Sequence, residues 1–407
     1  MKNIIIFGLQ FESNLGDQVI GHCTSYLVKK ALAELNIQDD VQVKDVDMLG
    51  RTSYQVAIIT RTESSIFKRI VKDFLPASIL DLINAKRNAK SDKNNAPKIR
   101  LRTAQIAEKV IDNDTVAIIF AGGGLIKYKA QEFYLLIDVI TDIADRKSIP
   151  VMLNAVGVEG FDSRSEKCRI LKNALNRDCV KVVTTRDYIE LLDRKYIEAK
   201  HIHTRRVPDP ALWVDDIYKS TVESLGIIGL SVARSHIFVE HGIRVTRNDL
   251  LKLWKGVTDE LDRKGIRWKY FCNGTFADFE FLQDLIKTQY SSCKFDEIAF
   301  ERAEDPQTLV NQICSFSTIL STRLHAAIIS YAYHVPVVQL VWNDKQVLFG
   351  KSIGYENRFI RSTDFTPKYI TKVVAEAEQI RYKNYEEKNN RESTYIELRS
   401  FINKYTN

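Results

Sequence analysis

Cysteine is scarce in this chain and is not arranged for metal binding or redox chemistry. Six cysteines occur in 407 residues, and no two of them form a CxxC pair: Cys23, Cys168, Cys179, Cys272, Cys293 and Cys314. This spacing argues against a disulfide framework and against a zinc site. Buried, reduced thiols explain the pattern better. We therefore expect a cytoplasmic protein that needs no metal and no cofactor.

Long apolar runs are missing as well. No apolar window approaches the ~18 residues of a membrane span. The apolar run Ile4–Leu9 has only the length of a strand and is followed directly by polar residues, so it does not read as a secretory signal. The formal charge of +7 is a mild excess. It suits anionic small molecules or an anionic membrane surface, and it is too low for a dedicated nucleic-acid binder.

The length and the pattern of the chain predict two α/β domains, because one core rarely fills 407 residues. Apolar, β-branched runs alternate with helical patterns in both halves, which is typical of parallel sheets covered on both faces. We predict a Rossmann-like domain over residues 1–215 and a second one over 224–365. Residues 366–407 are predicted to form a charged helical tail that packs back on the domains.

Specific elements follow from these runs. The predicted strands of the first domain are 3–9, 41–46, 115–121, 151–155 and 180–184, and its predicted helices are 17–35, 132–146, 166–176 and 188–196. The second domain is predicted to have strands 227–232, 268–272, 317–321 and 337–341, with helices 248–264, 279–289 and 324–334. Ligands of doubly wound sheets bind outside the carboxyl ends of the strands, which predicts a site in a cleft that the two domains face.

A basic insertion, residues 61–105, interrupts this alternation. From Lys68 to Arg102 it has ten Lys or Arg residues against three Asp residues. One interpretation is a solvated loop. The other is peripheral contact of residues 66–100 with a membrane surface, where each basic side chain contributes about 1 kcal/mol.

The segment Ser321–Ala326 carries the strongest chemical signal. It lies between an apolar run and a helical pattern, and it supplies Arg323 and His325 at one strand end. An arginine binds a carboxylate or phosphate through its planar fork, and a histidine transfers protons near neutral pH. A surface ion pair and a packed histidine are the alternative, but the predicted strand-turn-helix layout favours anion binding.

Glycine-rich turns follow two other predicted strands. Gly122, Gly123 and Gly124 end one strand, and Gly157 and Gly160 follow the next. Glycines here let backbone N–H groups approach an anion or a sugar, although tight packing would also explain them.

Several further polar residues stand at predicted strand ends. Arg186 is predicted to face the cleft opposite Arg323, so that the two arginines clamp one anion; an ion pair with a neighbour such as Asp187 is the alternative. Asn14 and Asp17 begin the first helix, where Asp17 either caps the helix or contacts acceptor hydroxyls. Lys345 either adds positive charge to the anion pocket or is ordinary surface.

Taken in order, these motifs resemble the polysaccharide pyruvyl transferase family over about residues 13–355. The motifs that carry the resemblance are Asn14–Asp17, Ala121–Ile126, Ala155–Val158, Thr185–Asp187, Pro208–Leu212, Thr322–Ala326, Val335–Val337 and Lys345. Residues 61–105 and the tail after Pro367 lie outside it. The resemblance implies a fold like that of the two-domain GT-B glycosyltransferases. It also implies an enzyme that moves pyruvate from phosphoenolpyruvate (PEP) to two hydroxyls of a sugar, giving a cyclic ketal on a surface polysaccharide such as a capsule or exopolysaccharide, or on its lipid-linked precursor.

The resemblance also suggests roles for single residues. It associates Arg186, Arg323, Leu324 and His325 with PEP. We predict that His325 is the general acid, and we add Lys345, Gly123 and Gly124 to the PEP-binding set. Asn14, Asp17 and Gly157 are expected to contact the acceptor. Two alternatives stay open at this point: a GT-B glycosyltransferase that uses a nucleotide sugar, and a non-catalytic relative that binds glycans.

Overall fold

The structure is a computed structural model that describes residues 1–52, 95–128, 132–220, 222–382 and 387–406, with side chains in the last range from residue 391. The described residues fall into two compact units. Of the described residues, the first unit contains 1–52, 96–128, 132–219 and 387–406, and the second contains 95, 220 and 222–382. Most of the basic insertion, residues 61–94, lies outside the described residues.

The first unit is built on a parallel sheet. Its strands are β1 Lys2–Gly8, β2 Val41–Asp47, β3 Thr115–Ala121, β4 Ile126–Lys127, β5 Val151–Val156, β6 Val158–Glu159, β7 Val180–Thr185 and β8 His203–Arg206. Six of them form one sheet in the order β2-β1-β3-β5-β7-β8, and β4 pairs with β6. Every residue of β5 and all but one residue of β3 are buried, which explains why these strands are apolar along their whole length.

Helices cover this sheet. They are α1 Leu15–Glu34, α2 at 95–110, α3 Phe133–Arg146, α4 Glu166–Leu175, α5 Ile189–Leu191 and α6 Val214–Ile217, with a π-helical segment Leu192–Tyr196 and a 3₁₀ turn Pro210–Trp213. The core between helices and sheet includes Phe7 and Phe120, whose ring centroids are 6.0 Å apart. The predicted helix 188–196 is wrong in type, since only its first turn is α-helical.

The second unit repeats the architecture. Its strands are β9 Ile228–Ser231, β10 Trp268–Phe271, β11 Thr318–Ser321, β12 Val337–Leu340 and β13 Phe359–Ile360. They form a parallel sheet in the order β10-β9-β11-β12-β13. The helices are α7 His236–Val239, α8 Arg247–Arg263, α9 Phe276–Gln289, α10 Phe295–Ile298, α11 Pro306–Cys314, α12 Leu324–Ala332, α13 Asp344–Ser352 and α14 Pro367–Ile380, with 3₁₀ turns Glu356–Arg358 and Ser362–Asp364.

The segment predicted as one helical tail forms two helices that belong to different units. Helix α14 packs against α8 in the second unit. The last helix, α15 Glu387–Thr406, packs against α1 in the first unit. There Thr394 donates a hydrogen bond to the carbonyl of Pro208 at 2.6 Å. Helix α15 therefore supports the turn that follows β8.

Strand order locates the ligand-binding edge of each sheet. In the first sheet the chain runs outward from β1 to β2 and then returns to the other side of β1 as β3. In the second sheet β10 and β11 flank β9 in the same way. Such a reversal opens a crevice at the carboxyl ends of the strands, where doubly wound proteins bind ligands. The two crevices lie between β1 and β3 and between β9 and β11.

Candidate active site

Arg323 lies at the crevice of the second sheet, after β11 and directly before α12. Its Nε donates to Asp278 Oδ2 at 2.7 Å, and its Nη2 lies 2.6 Å from the same oxygen. Asp278 is in the first turn of α9 and is fully buried. Its other oxygen accepts the backbone N–H of Arg234 at 3.2 Å. A buried carboxylate therefore fixes the guanidinium in one orientation while leaving 15% of the Arg323 side chain exposed.

The turn that carries Arg323 is held by its neighbours as well. The carbonyl of Thr322 accepts hydrogen bonds from Trp342 Nε1 at 2.5 Å and from Gln346 Nε2 at 3.1 Å. Ser321 Oγ accepts the backbone N–H of Arg323 at 3.0 Å and donates to its carbonyl at 2.9 Å. The turns after β11 and β12 are thus connected, and the backbone of Arg323 is rigidly placed.

His325, Leu324 and Lys345 lie on the same edge. His325 is the second residue of α12 and is 7% exposed, and Leu324 beside it is half-buried. Lys345 is half-buried in the first turn of α13, which follows the neighbouring strand β12; its backbone N–H donates to Asn343 Oδ1 at 2.9 Å. The first N–H groups of α12 have no partner within the helix, so this edge offers backbone donors together with cationic side chains.

The cysteine at this edge stays protonated. Burial raises the pKa of Cys272 to about 12, and nearby Asp278 adds to the effect, although a backbone hydrogen bond and the charges of Arg302 and Arg323 oppose it. A thiol with so high a pKa is not a nucleophile near neutral pH. Chemistry at this edge therefore depends on the arginine and the histidine.

In the first unit, the crevice between β1 and β3 is lined by glycines. The N–H of Gly122 donates to the carbonyl of Asn154 at 3.0 Å, and the carbonyl of Gly123 accepts the N–H of Gly157 at 2.7 Å. Both Gly122 and Gly123 have positive φ, +28° and +77°. A Cβ on Gly122 would lie 2.4 Å from Ile20 Cγ2, so this position has no room for a side chain.

Asn14 and Asp17 lie where α1 begins, beside this turn. Asn14 Nδ2 donates to Asp17 Oδ2 at 2.8 Å, and the Asp17 N–H donates to the carbonyl of Asn14 at 3.0 Å. Asp17 Oδ1 lies 3.7 Å from the position that a Cβ on Gly123 would occupy. The structure therefore brings the predicted acceptor residues Asn14 and Asp17 together with Gly123, and half-buried Gly124 follows in the same turn.

Arg186 follows β7 and is surrounded by carboxylates. Its Nη1 pairs with Asp209 Oδ2, and the side chains of both residues are at most 9% exposed. Burial lowers the pKa of Arg186, but the charges of Asp209, Asp187 and Asp17 outweigh it, so its pKa is raised. Asp209 Oδ1 accepts the N–H of Ala211 at 2.9 Å. Arg186 therefore forms an ion pair, which was the alternative to its binding a ligand anion, and its bonded partner is Asp209.

The two crevices differ in charge. In the first unit, Arg186 is close to three aspartates: buried Asp187 and Asp209 and half-buried Asp17. At the second crevice Arg323 faces one buried aspartate, and half-buried Arg234 and Lys345 lie on the adjoining turns. The charge of the first crevice therefore disfavours anions, whereas the cationic groups of the second suit them.

Sequence reasoning missed three residues of the second crevice: Asp278, Trp342 and Gln346. The predicted helix started at residue 279, whereas α9 starts at Phe276 and includes Asp278. An acidic residue at a helix start after a strand is the signal that was present. Nothing local indicates that Asp278 bonds a residue 45 positions away.

This architecture is shared with solved structures of UDP-GlcNAc 2-epimerases. The UDP-GlcNAc 2-epimerase of Methanocaldococcus jannaschii aligns with a TM-score of 0.59 and 13% identity over 99% of this chain and 100% of that one. The enzyme from Rickettsia bellii aligns with a TM-score of 0.56 and 13% identity over 100% of this chain and 96% of that one. The Neisseria meningitidis enzyme, bound to UDP-GlcNAc, aligns with a TM-score of 0.56 and 11% identity over 99% of this chain and 100% of that one. The fold is GT-B-like, as predicted; at this identity the likeness concerns the fold alone.

The family follows from the sequence motifs. A family model described as polysaccharide pyruvyl transferase matches residues 14–345, most of the chain and all of the predicted site residues. The chain belongs to the polysaccharide pyruvyl transferase family, and it is therefore an enzyme of polysaccharide pyruvylation. No curated protein matches it. Among the described residues, no helix has the length and apolarity needed to cross a membrane.

Proposed function

We propose that this enzyme transfers pyruvate from PEP to two hydroxyls of a sugar and forms a cyclic ketal on a polysaccharide or its precursor. The observation that carries the proposal is the contrast between the two crevices. One is rich in cationic groups, and the other surrounds its arginine with three carboxylates. A donor with two to three negative charges suits the former, and a neutral sugar suits the latter.

The donor is assigned to the second unit. Arg323 is already oriented by Asp278, so little ordering cost arises when it binds a carboxylate or phosphate. Each charge-assisted hydrogen bond contributes about 1.5–3 kcal/mol. Lys345 and the N–H groups at the start of α12 add further donors, and Leu324 covers the methylene side of PEP.

The acceptor is assigned to the first unit, where Asn14, Asp17 and Gly157 would contact its hydroxyls. Gly123 and Gly124 let the ligand approach the backbone closely. The sequence alone predicts that these two glycines bind PEP. The acidic surroundings favour the sugar instead.

Arg186 is the residue for which prediction and geometry lead to different roles. A PEP anion would have to compete with Asp209 for its guanidinium. We therefore propose that Arg186 stabilises the acidic cluster and thereby places the acceptor. In that case Arg186→Ala raises the KM for the acceptor more than the KM for PEP, and Arg323→Ala does the opposite.

The reaction follows from these roles. His325 protonates the methylene carbon of PEP, and the first sugar hydroxyl attacks the adjacent carbon, which then carries a methyl group. The C–O bond to phosphate breaks, and the second hydroxyl closes the ring. A positioned general acid contributes typically about 10²–10⁴-fold to the rate. The reaction uses PEP as donor and needs no further cofactor.

The test is donor choice. The purified enzyme is incubated with PEP and a panel of nitrophenyl glycosides, and released phosphate and product mass are measured. We expect PEP-dependent phosphate release and products heavier by about 70 Da, the increment for pyruvate minus water. His325→Ala should abolish both. Turnover with nucleotide sugars but not with PEP would overturn the proposal and support a GT-B glycosyltransferase.

A lipid-linked acceptor is a further part of the proposal. It rests on the basic run 66–100, of which Lys98 and Arg100 are described in α2. Charge reversal of exposed Lys98 in this run, together with exposed Arg102 just beyond it, should weaken sedimentation with phosphatidylserine vesicles, since each basic residue contributes about 1 kcal/mol. Unchanged binding would remove the membrane contact from the proposal.

A further inference from the structure

Arg323 has one edge of its guanidinium left for a ligand. Its Nε and Nη2 both contact Asp278 Oδ2, at 2.7 and 2.6 Å. Because the N–H donors of an arginine are arranged in a fixed planar fork, these contacts occupy the edge between Nε and Nη2. The remaining edge, between Nη1 and Nη2, can bind one carboxylate or one phosphate through two parallel hydrogen bonds. It cannot bind both groups at once.

PEP carries two anionic groups, a carboxylate and a phosphate, so a second cation is needed for the group that Arg323 does not bind. The sequence predicts Arg186 for this purpose, but Arg186 is paired with Asp209. Arg302, whose charge also reaches the edge of the second sheet at Cys272, is committed to the protein as well. Its Nη1 donates to the carbonyl of Gly274 at 3.1 Å, and its Nη2 pairs with a carboxylate oxygen of Glu304 at 3.1 Å.

Arg234 lies on the other side of Asp278 from Arg323. It follows β9, the strand that pairs with β11, and its backbone N–H donates to Asp278 Oδ1, the oxygen that Arg323 does not use. The turns after the two strands are also joined directly, since the carbonyl of Ser231 accepts the backbone N–H of Thr322 at 3.1 Å and its hydroxyl at 2.9 Å. A single carboxylate therefore separates the backbone of Arg234 from the guanidinium of Arg323, and both arginines belong to the second unit.

The guanidinium of Arg234 is available to a ligand. The residue is half-buried, and within the described part of the chain its side chain makes no hydrogen bond and no ion pair. Its charge does act on Glu240, whose pKa is lowered chiefly by a hydrogen bond with His236 and to a smaller extent by Arg234. Glu240 Oε1 lies 3.0 Å from His236 Nε2, so this carboxylate has its own partner.

We propose that Arg234 is the second arginine of the donor site, and that Arg234 and Arg323 bind opposite ends of PEP. This proposal rests on the proposed function. One guanidinium binds the carboxylate and the other binds the phosphate. Asp278 connects the two, because it fixes the side chain of Arg323 through one oxygen and the backbone of Arg234 through the other. The donor site is then complete within the second unit.

The experiment measures the affinity of the full chain for PEP by calorimetric titration without acceptor. It compares the wild-type enzyme with Arg234→Met, which keeps the apolar stem of the side chain but loses its charge, and with Arg234→Lys. Both variants retain the backbone N–H that donates to Asp278, so the contact that orients Arg323 is kept. Arg244→Met is the matched control, since Arg244 is an exposed arginine in the same unit, before α8.

For Arg234→Met we expect the Kd for PEP to rise about tenfold or more, the scale of one lost charge-assisted hydrogen bond. Arg234→Lys should have an intermediate Kd, because lysine keeps the charge and loses the fork. Arg244→Met should bind PEP like the wild-type enzyme. Competition titrations with pyruvate and with inorganic phosphate, each of which carries one anionic end of PEP, add a second readout. Arg234→Met should weaken one of these two ligands and leave the other unchanged, whereas a purely structural role would weaken both.

The outcomes separate this proposal from the proposed function. A Kd for PEP within about threefold of wild type in Arg234→Met, less than the loss of one charged hydrogen bond, would overturn the role of Arg234 alone. An equal loss in Arg244→Met, or equal weakening of pyruvate and phosphate in Arg234→Met, would also overturn it. If the wild-type enzyme neither binds PEP nor releases phosphate from it, the proposed function is wrong, and the role of Arg234 with it.

Discussion

Asp278 orients Arg323 through a single carboxylate oxygen, which lies 2.7 Å from Nε and 2.6 Å from Nη2. The aspartate is fully buried, and the arginine remains partly exposed. Burial of an ionised carboxylate costs desolvation energy, which the two contacts with the guanidinium offset. Here the oriented group stands at the crevice that we assign to PEP.

Asp278→Ala should destabilise the enzyme and weaken donor binding together. Removing one partner of a buried pair typically costs about 3 kcal/mol or more, and the freed guanidinium must then be ordered by the ligand. We expect a lower free energy of unfolding in urea and a KM for PEP raised about tenfold, since about 1.4 kcal/mol corresponds to one power of ten.

Asp284→Ala is the matched control for Asp278→Ala. Asp284 pairs with Arg247 in the same unit, but 45% of its side chain is exposed. Exposed pairs contribute about 0–1 kcal/mol, so this variant should lose little stability and keep its KM for PEP. Equal losses in the two aspartate variants would contradict an orienting role for Asp278.

Alanine substitutions at three glycines with positive φ can measure the cost of backbone strain separately from the cost of a steric contact. Gly123 and Gly242 both have φ +77°, and no heavy atom lies within 4 Å of a Cβ position at Gly242, whereas Gly122 has φ +28° and a near contact with Ile20. Alanine at Gly242 or Gly123 should cost about 1–2 kcal/mol of unfolding free energy, the cost of left-handed backbone. Gly122→Ala should cost clearly more.

The same series tests the open space beside Gly123, where Asp17 Oδ1 lies 3.7 Å from a Cβ position. Gly123→Ala fills part of this space, so it should raise the KM for the acceptor, while Gly242→Ala leaves both kinetic constants unchanged. Urea denaturation gives the stability of each variant, and phosphate release gives the kinetics. If Gly122→Ala were no less stable than Gly242→Ala, the packing described around Ile20 would be wrong.

The fold could be predicted because buried parallel strands are apolar along their whole length. Strands such as β3 and β5 show this pattern directly, and their observed bounds lie within a residue or two of the predicted ones. Strand β8 lacks the pattern, since its sequence HTRR lies at the sheet edge and is largely exposed. It was not predicted for that reason.

The sequence predicted the part of the site in which a single strand end carries the reactive side chains and also fixes where they lie. Arg323 and His325 lie within three consecutive residues at one strand end. The partners Asp278 and Gln346 come from other loops, and only the sheet order brings them to Thr322 and Arg323. Contacts of this kind leave no local pattern in a single sequence, and so the acidic surroundings of Arg186 were not anticipated either.

Gln346 should connect the two turns of the donor crevice. Its Oε1 accepts the backbone N–H of Trp342 at 2.8 Å, its Nε2 donates to the carbonyl of Thr322 at 3.1 Å, and it is 1% exposed. Gln346→Leu removes the acceptor of the Trp342 backbone N–H and one of the two donors to the Thr322 carbonyl, which keeps its bond from Trp342 Nε1. Loss of a partner costs about 1–3 kcal/mol for a buried polar group. We expect lower stability in urea and a raised KM for PEP.

The exposed residue Gln105 in α2 provides the comparison for Gln346. Gln105→Leu should change neither the unfolding free energy nor the kinetics by a measurable amount, because surface substitutions usually stay within about 0.5 kcal/mol. A Gln346→Leu enzyme with an unchanged KM for PEP would show that the turn keeps its shape without this side chain.

His22 should make the stability of the enzyme depend on pH. Burial lowers its pKa below 6.5, and Lys29 acts in the same direction while Asp45 opposes it; its Nδ1 makes a hydrogen bond with the hydroxyl of Tyr218. Between the folded pKa and 6.5, the unfolded chain binds more protons than the native one, so stability is lost as the pH falls through this range. His22→Gln should reduce this loss, whereas substitution of exposed His201 should not. Urea denaturation of both variants between about pH 7.5 and 5 measures the difference in slope, and parallel curves for wild type and His22→Gln would refute the assignment.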